Sequence, residues 1–372
     1  MIRSNWLALA GVTLMAAGLA LASTSCTKKP TGPSGFQAAD AIVDIPPCLT
    51  TSSRGAAKAE VDSLDGSALY DMECTYIAIA DAEGDLVRGL LSTLQNFTGE
   101  FDGSWTSNGD HRVKHLVITQ SSTTYEGQTF ASRLELMDGT NNAFEMYYDT
   151  GASVRGVIIM APAWLNRSDT SRVNDDTRVR IRYNRADAQY GKTIVVEGSG
   201  FPLDHEGAVG SLMMRAWVIG DTFRMQGNSD HPNARLWGDE RTRADYNYAF
   251  MAHAIMHHDS TADSACMKVG VVPSTVTSTD SLVDRYSVDR ALTTYINVFF
   301  PGMMPDTVAA YTDQAKNPGW YTRAHVTDQP GYIGNGPGYP AGFEYLDEWS
   351  GMTAYSPADV HALRIQFGGS AF

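Results

Sequence analysis

The feature that most constrains this chain is a change of period. From Arg112 onward, apolar residues recur at every second position, in short runs separated by turn residues. A period of two lays apolar side chains on one face of a strand. In the run Arg178 to Tyr183, Val179, Ile181 and Tyr183 alternate with Arg178, Arg180 and Arg182, the pattern of a half-buried strand. Phe130, Leu134 and Leu136 alternate with Arg133 and Glu135, and Asp138-Gly139 then supplies a turn signal. Phe144, Met146 and Tyr148 share the next face, Asp149-Thr150-Gly151 turns again, and Val154 to Met160 follows. Thr193 to Glu197 and Leu212 to Ile219 continue the series. Strands at this spacing, joined by tight turns, predict an antiparallel meander rather than βαβ units.

The flanks have a helical period. In Tyr76 to Phe97 the residues Tyr76, Ile79, Leu86, Leu90 and Leu94 fall on one stripe, although Gly84 and Gly89 weaken it. Asp280 or Ser281 caps a second helical pattern carrying Leu282, Tyr286, Leu292, Tyr295, Ile296 and Phe299, which Pro301-Gly302 ends. Ser356, Pro357 and Asp359 form a helix start before Val360, Leu363 and Phe367. The expected fold is therefore α+β: an antiparallel β-meander, a curved or partly closed sheet, packed with N-terminal and C-terminal helices. Residues 41–372 make one body, with a subdivision near 275 left open.

The chain begins with Met1 to Trp6, carrying the single charge of Arg3; Leu7 to Ala22 is uncharged and apolar; Ser23-Thr24-Ser25 then precedes Cys26. This order resembles the signal peptide and lipobox of bacterial lipoproteins, with Ser23 where the box usually has Leu. The resemblance implies that residues 1–25 are a signal peptide and that Cys26 becomes the lipid-bearing first residue. It implies an exported protein, lipid-anchored in the cell envelope. Thr27 in place of Asp points to the outer membrane in a host with two membranes. Residues 26–40 then form anchor and tether, since Thr27 to Gln37 is rich in Pro, Gly and Ser with two Lys.

The formal charge of −14 disfavours nucleic acid and anionic lipid as partners. Contact with the membrane is thus expected through the lipid alone. Of the four cysteines, Cys26 is assigned to lipid, leaving Cys48, Cys74 and Cys266 in a disulfide-permissive compartment. Cys48–Cys74 closes the shorter loop and is the expected bridge, although spacing alone does not fix the pairing.

Signatures of chemistry are sparse. Gly191-Lys192-Thr193 fails as a phosphate loop, because position 186 is Ala and a strand pattern follows. Neither a G-x-S-x-G elbow nor an H-E-x-x-H helix occurs. His253, His257, His258 and Asp259 are the densest set of metal-ligand types. His253 and His257 share a face on a helix or a strand, which would suit zinc, but no third ligand has a recognisable spacing. The favoured reading is a strand carrying Tyr246, Tyr248 and Phe250 that runs into a polar turn. Between Asn317 and Ser350 lies an aperiodic Gly/Pro stretch, in which Tyr339, Phe343, Tyr345 and Trp349 accompany Glu344, Asp347 and Glu348. Such aromatics can stack on sugars; the simpler reading is a loop pinned by its own rings. The sequence leaves open whether the protein is an enzyme, calls for no cofactor and identifies no ligand or protein partner. The expectation is a non-enzymatic binding or structural module of the envelope. The rival is an envelope hydrolase, metal-dependent at the histidines or acting on glycans.

Overall fold

In the computed structural model the alternating segments become strands of an antiparallel meander. The structure describes residues 42–43, 45, 67–94, 97, 99–150, 153–167, 175–202, 209–229, 248–258, 263–273, 319–322 and 357–369. The described part is mostly strand. The chain divides into two compact units, one comprising residues 1–44, 82–211 and 363–372, the other residues 45–81 and 212–362.

The first unit holds β1 (Phe101–Thr106), β2 (Val113–Thr119), β5 (Ser132–Asp138), β6 (Asn141–Thr150), β7 (Val154–Met160), β8 (Arg178–Asp187) and β9 (Gly191–Pro202). They pair in that order. A separate two-stranded hairpin, β3 (Thr123–Tyr125) and β4 (Gln128–Phe130), is inserted between β2 and β5. Register builds the core in rows. Leu116, Leu136, Phe144, Met160 and Val179 oppose one another across five strands. Ile118, Leu134, Met146, Ile158, Ile181 and Val196 form the next row. All of these are buried, and each contributes roughly 1.5–3 kcal/mol of transfer free energy. A third row sets Gly156 between Tyr148 and Tyr183. A Cβ at Gly156 would collide with the Tyr183 hydroxyl and the Tyr147 carbonyl, so the row requires glycine there.

The second unit carries β10 (Val209–Ile219, from Leu212 on), β11 (Thr222–Ser229), β12 (Tyr248–His258), β13 (Asp263–Pro273) and β14 (Gly319–Thr322), again antiparallel neighbours in order. Phe250, Ala252 and Ala254 are buried on β12, and Phe250 stacks on Tyr76 with ring centroids 4.1 Å apart.

Helix is limited among the described residues to α1 (Ser67–Leu94), α2 (Pro162–Leu165), α3 (Pro357–Ala362) and a 3₁₀ turn at Phe367–Gly369. α1 matches and extends the expected N-terminal helix. The second helical pattern, 282–299, lies outside the described residues.

Several expectations need correction. Partial closure is not realised within the first unit, whose terminal strands β1 and β9 do not pair with each other; a barrel needs that last ladder. Leu363 and Phe367 lie beyond the end of α3. Leu363 and Ile365 are buried while Arg364 and Gln366 are exposed, so the chain there alternates as an extended segment. Phe130 belongs to the hairpin, opposite Thr123, and not to the strand of Leu134 and Leu136. β8 is not half-buried, because Arg180 is buried along with Val179, Ile181 and Tyr183. Gly319–Thr322 is a strand inside the stretch that showed no period.

Candidate functional site

The burial of Arg180 leads to the densest polar cluster described in the protein. On the face opposite the core rows of the first unit, register aligns Glu135, Glu145, Ile159, Arg180 and Glu197. The adjacent row holds Arg133, Tyr147, Val157, Arg182 and Val195. Two pieces of chain lie on this face. The hairpin brings Tyr125, Glu126 and Phe130; the segment 363–369 brings Gln366, Phe367 and Gly368.

The ions on this face pair with one another, although the buried Arg133 Nε has no hydrogen-bond partner. Arg180 donates from Nε and Nη2 to both oxygens of Glu197, at 2.5 and 3.0 Å, and from Nη1 to Glu126 at 2.5 Å. Arg182 donates to the other Glu126 oxygen at 2.5 Å and to Glu197 at 3.4 Å. Burial works against the Arg180 charge, and the hydrogen bonds and charge of Glu197 outweigh it, so its pKa rises. Glu135 and Glu145 face each other directly, an unfavourable like-charge pair. Arg133 offsets it by reaching Glu135 at 3.1 Å and Glu145 at 2.7 Å. Glu145 also accepts from the Tyr147 hydroxyl and from the backbone N–H of Gly368. Burial first, and the Glu145 charge second, push the Tyr147 phenol well above its ordinary range. The Tyr125 ring lies 4.9 Å from that of Tyr147, and its hydroxyl donates to the Gln366 carbonyl.

A second buried ion set sits at the other end of the sheet. Lys114 donates to Asp110 at 2.7 Å and to the Trp164 carbonyl on α2, with Asp138 at 3.5 Å. Arg112 holds both oxygens of Asp138. Burial raises the Asp110 pKa, but the Lys114 bond and the N–H groups of Arg167 and Arg112 outweigh it, holding the group at about 2. This set staples the β1–β2 loop to α2. Nearby, Ser104 Oγ lies 2.8 Å from His115 Nδ1, and His115 Nε2 lies 3.3 Å from Asp102. The order resembles a nucleophile–base–acid relay. With Asp102 73% and His115 38% exposed, however, water screens the pair and nothing fixes a substrate. It is a cross-strand surface contact, Ser104 standing directly opposite His115.

Of the residues singled out by sequence, His253, His257 and His258 all lie within β12, whose strand runs through His258; the expected polar turn at the cluster is a strand instead. Residues of one strand alternate faces, so His253 and His257 share one and His258 takes the other. In register His253 stands between Arg224 and Lys268, and His257 opposite Ser264. Cys74 lies in α1 and Cys266 in β13. Cys26, Cys48, Asp259, Tyr339, Phe343, Tyr345 and Trp349 lie outside the described residues. Among the described residues no group of three His, Cys, Asp or Glu is placed to hold a metal ion. Sequence reasoning missed Glu126, Glu145, Arg133 and Glu197. Their one local signal was the run of arginines on β8, too many positive charges for one strand face without acids opposite.

No family model, no curated protein and no solved structure matches this chain.

Proposed function

We propose that the protein is a lipid-anchored cell-envelope module that binds or supports and does not catalyse. The observation behind this reading is the covered face of the first unit: its ionisable groups pair with one another beneath the hairpin and the C-terminal segment. A catalytic centre leaves polar groups aimed at a reacting atom; here they are consumed in holding chain to chain. In the same reading the body is α+β, with helices from both ends laid on the sheet. Cys26 bears the lipid after removal of residues 1–25, the mature protein resides in the outer membrane if the host has two, and Cys48–Cys74 is the disulfide. Replacing Cys26→Ala should move the protein from the membrane fraction to the soluble fraction, and the intact mass of wild type should carry the acyl groups. Wild-type protein without acyl mass, or a mutant that stays with the membrane through a carbonate wash, overturns the anchor.

A hydrolase is the second reading, favoured by the shared face of His253 and His257 on β12. Elemental analysis of untagged protein, with melting curves in and out of EDTA, separates the two. We expect no zinc and unchanged melting. Near-stoichiometric zinc, lost in the His253→Ala/His257→Ala double mutant, would make the hydrolase the better reading.

A further inference from the structure

We infer that Arg180 and Arg182 form a carboxylate-binding fork, occupied in this structure by the protein's own Glu126, from which an external carboxylate can displace it. The inference rests on the binding-module reading and gives that module its ligand class.

Three observations carry it. The first is geometric. One carboxylate bridges two guanidinium groups, each of its oxygens accepting from a different arginine at 2.5 Å. Glu197 already takes the Nε and Nη2 donors of Arg180. The donors aimed at Glu126 are therefore a separate pair, converging on one carboxylate's width. Without Glu126 the set Arg180, Arg182 and Glu197 carries one net positive charge, which favours an incoming anion.

The second observation concerns the residue chosen. Glu126 and Gly127 are the two loop residues of the β3–β4 hairpin, both with positive φ, +46° and +77°. Two such residues in a two-residue loop are the geometry in which Asn-Gly is strongly preferred. Glutamate gains nothing from this backbone, so its presence is explained by its side chain.

The third is that the hairpin is tied to the main sheet by side chains and not by a strand ladder. Its strands are three residues each and pair only with one another. Such a ribbon is marginal alone. It is held by the buried Tyr125 and Phe130 rings against Tyr147, by the Tyr125 hydroxyl on the Gln366 carbonyl, by Arg155 on the Thr129 carbonyl and over the Phe130 ring, and by Glu126 itself. Glu126 and Arg182 are both more than a third exposed, so solvent and ligand reach the outer half of the fork without unfolding the sheet.

The test uses the mature chain with succinate and a penta-glutamate peptide as probes, separating a small acid from an acidic protein segment as the source. In wild type, either probe should speed amide exchange across residues 123–130, while sodium chloride of equal ionic strength does not. Glu126→Asn, which suits the turn, should bind the effective probe about tenfold more tightly than wild type, because the internal competitor is gone. Glu126→Asn/Arg182→Gln should lose that gain. If Glu126→Asn disturbs the hairpin, Glu126→Gln removes the charge at constant size and should show the same gain. Unchanged exchange in wild type, or no tighter binding by either single variant, overturns the fork. Membrane retention of the same variants reports on the anchor separately, so failure of one idea is distinguishable from failure of the other.

Discussion

Glu83, on the stretch of α1 belonging to the first unit, is a carboxyl group buried at a cost. It is fully buried, its Oε2 has no hydrogen-bond partner, and burial pushes its pKa from 4.5 up to about 8. The folded protein therefore keeps a proton that the unfolded chain releases above about pH 4.5. Unfolding then gains from rising pH, and stability falls by up to ~1.4 kcal/mol per pH unit until the folded group also ionises near 8. Glu83→Gln removes this slope. Unfolding free energies from denaturant titration should agree for wild type and mutant near pH 4.5 and separate by roughly 1–3 kcal/mol in favour of the mutant near pH 8, after allowance for local relaxation. Parallel curves across that range would mean that Glu83 has found a partner. The helical spacing puts Glu83 on the apolar stripe between Ile79 and Leu86, so its burial was legible; that no partner meets its Oε2 depends on what packs against the helix.

At the scale of the element, the C-terminal segment 363–369 acts as a strap over the charged face. Gly368 donates to Glu145 and Gln366 accepts from Tyr125, contacts that join residues 223 and 241 positions apart. Arg178 lies over the Phe367 ring at 5.5 Å. Ending the chain after Ile365 removes all three. A buried carboxylate then loses a charge-assisted donor and a buried phenol its acceptor, together worth about 2–4 kcal/mol. The truncated protein should melt at lower temperature and exchange faster at residues 123–130, while the core row Ile118, Leu134, Met146, Ile158 keeps its protection. Unaltered exchange in the hairpin would show that the strap carries no load. The strands were legible in the sequence because alternation is local: Val179, Ile181 and Tyr183 announce β8 without outside help. The cover on their opposite face was not. Glu126 meets Arg180 across 54 residues and Glu197 meets it across 17, separations at which no spacing rule operates. The same limit explains the histidines. Their common face follows from period two, but that Arg224 and Lys268 flank His253 depends on the register of three strands.

For the whole molecule the governing quantity is charge. The chain carries −14, and removal of residues 1–25 takes away Arg3 alone, leaving −15. A net charge of that sign is repelled by an anionic leaflet, so in the proposed reading the lipid on Cys26 carries the attachment. If Cys26 bears the lipid as proposed, attachment should depend on the acyl chains and be indifferent to salt. Wild type is expected to stay with membranes through a wash in about 1 M salt, a condition that screens charges beyond ~3 Å, and to leave only with detergent. A version beginning at Thr27 should fail to sediment with vesicles containing anionic lipid at any ionic strength. Binding at low salt that vanishes at high salt would reveal a basic surface on the body despite its net charge, and would make the membrane a direct partner of the fold in addition to the anchor proposed at Cys26.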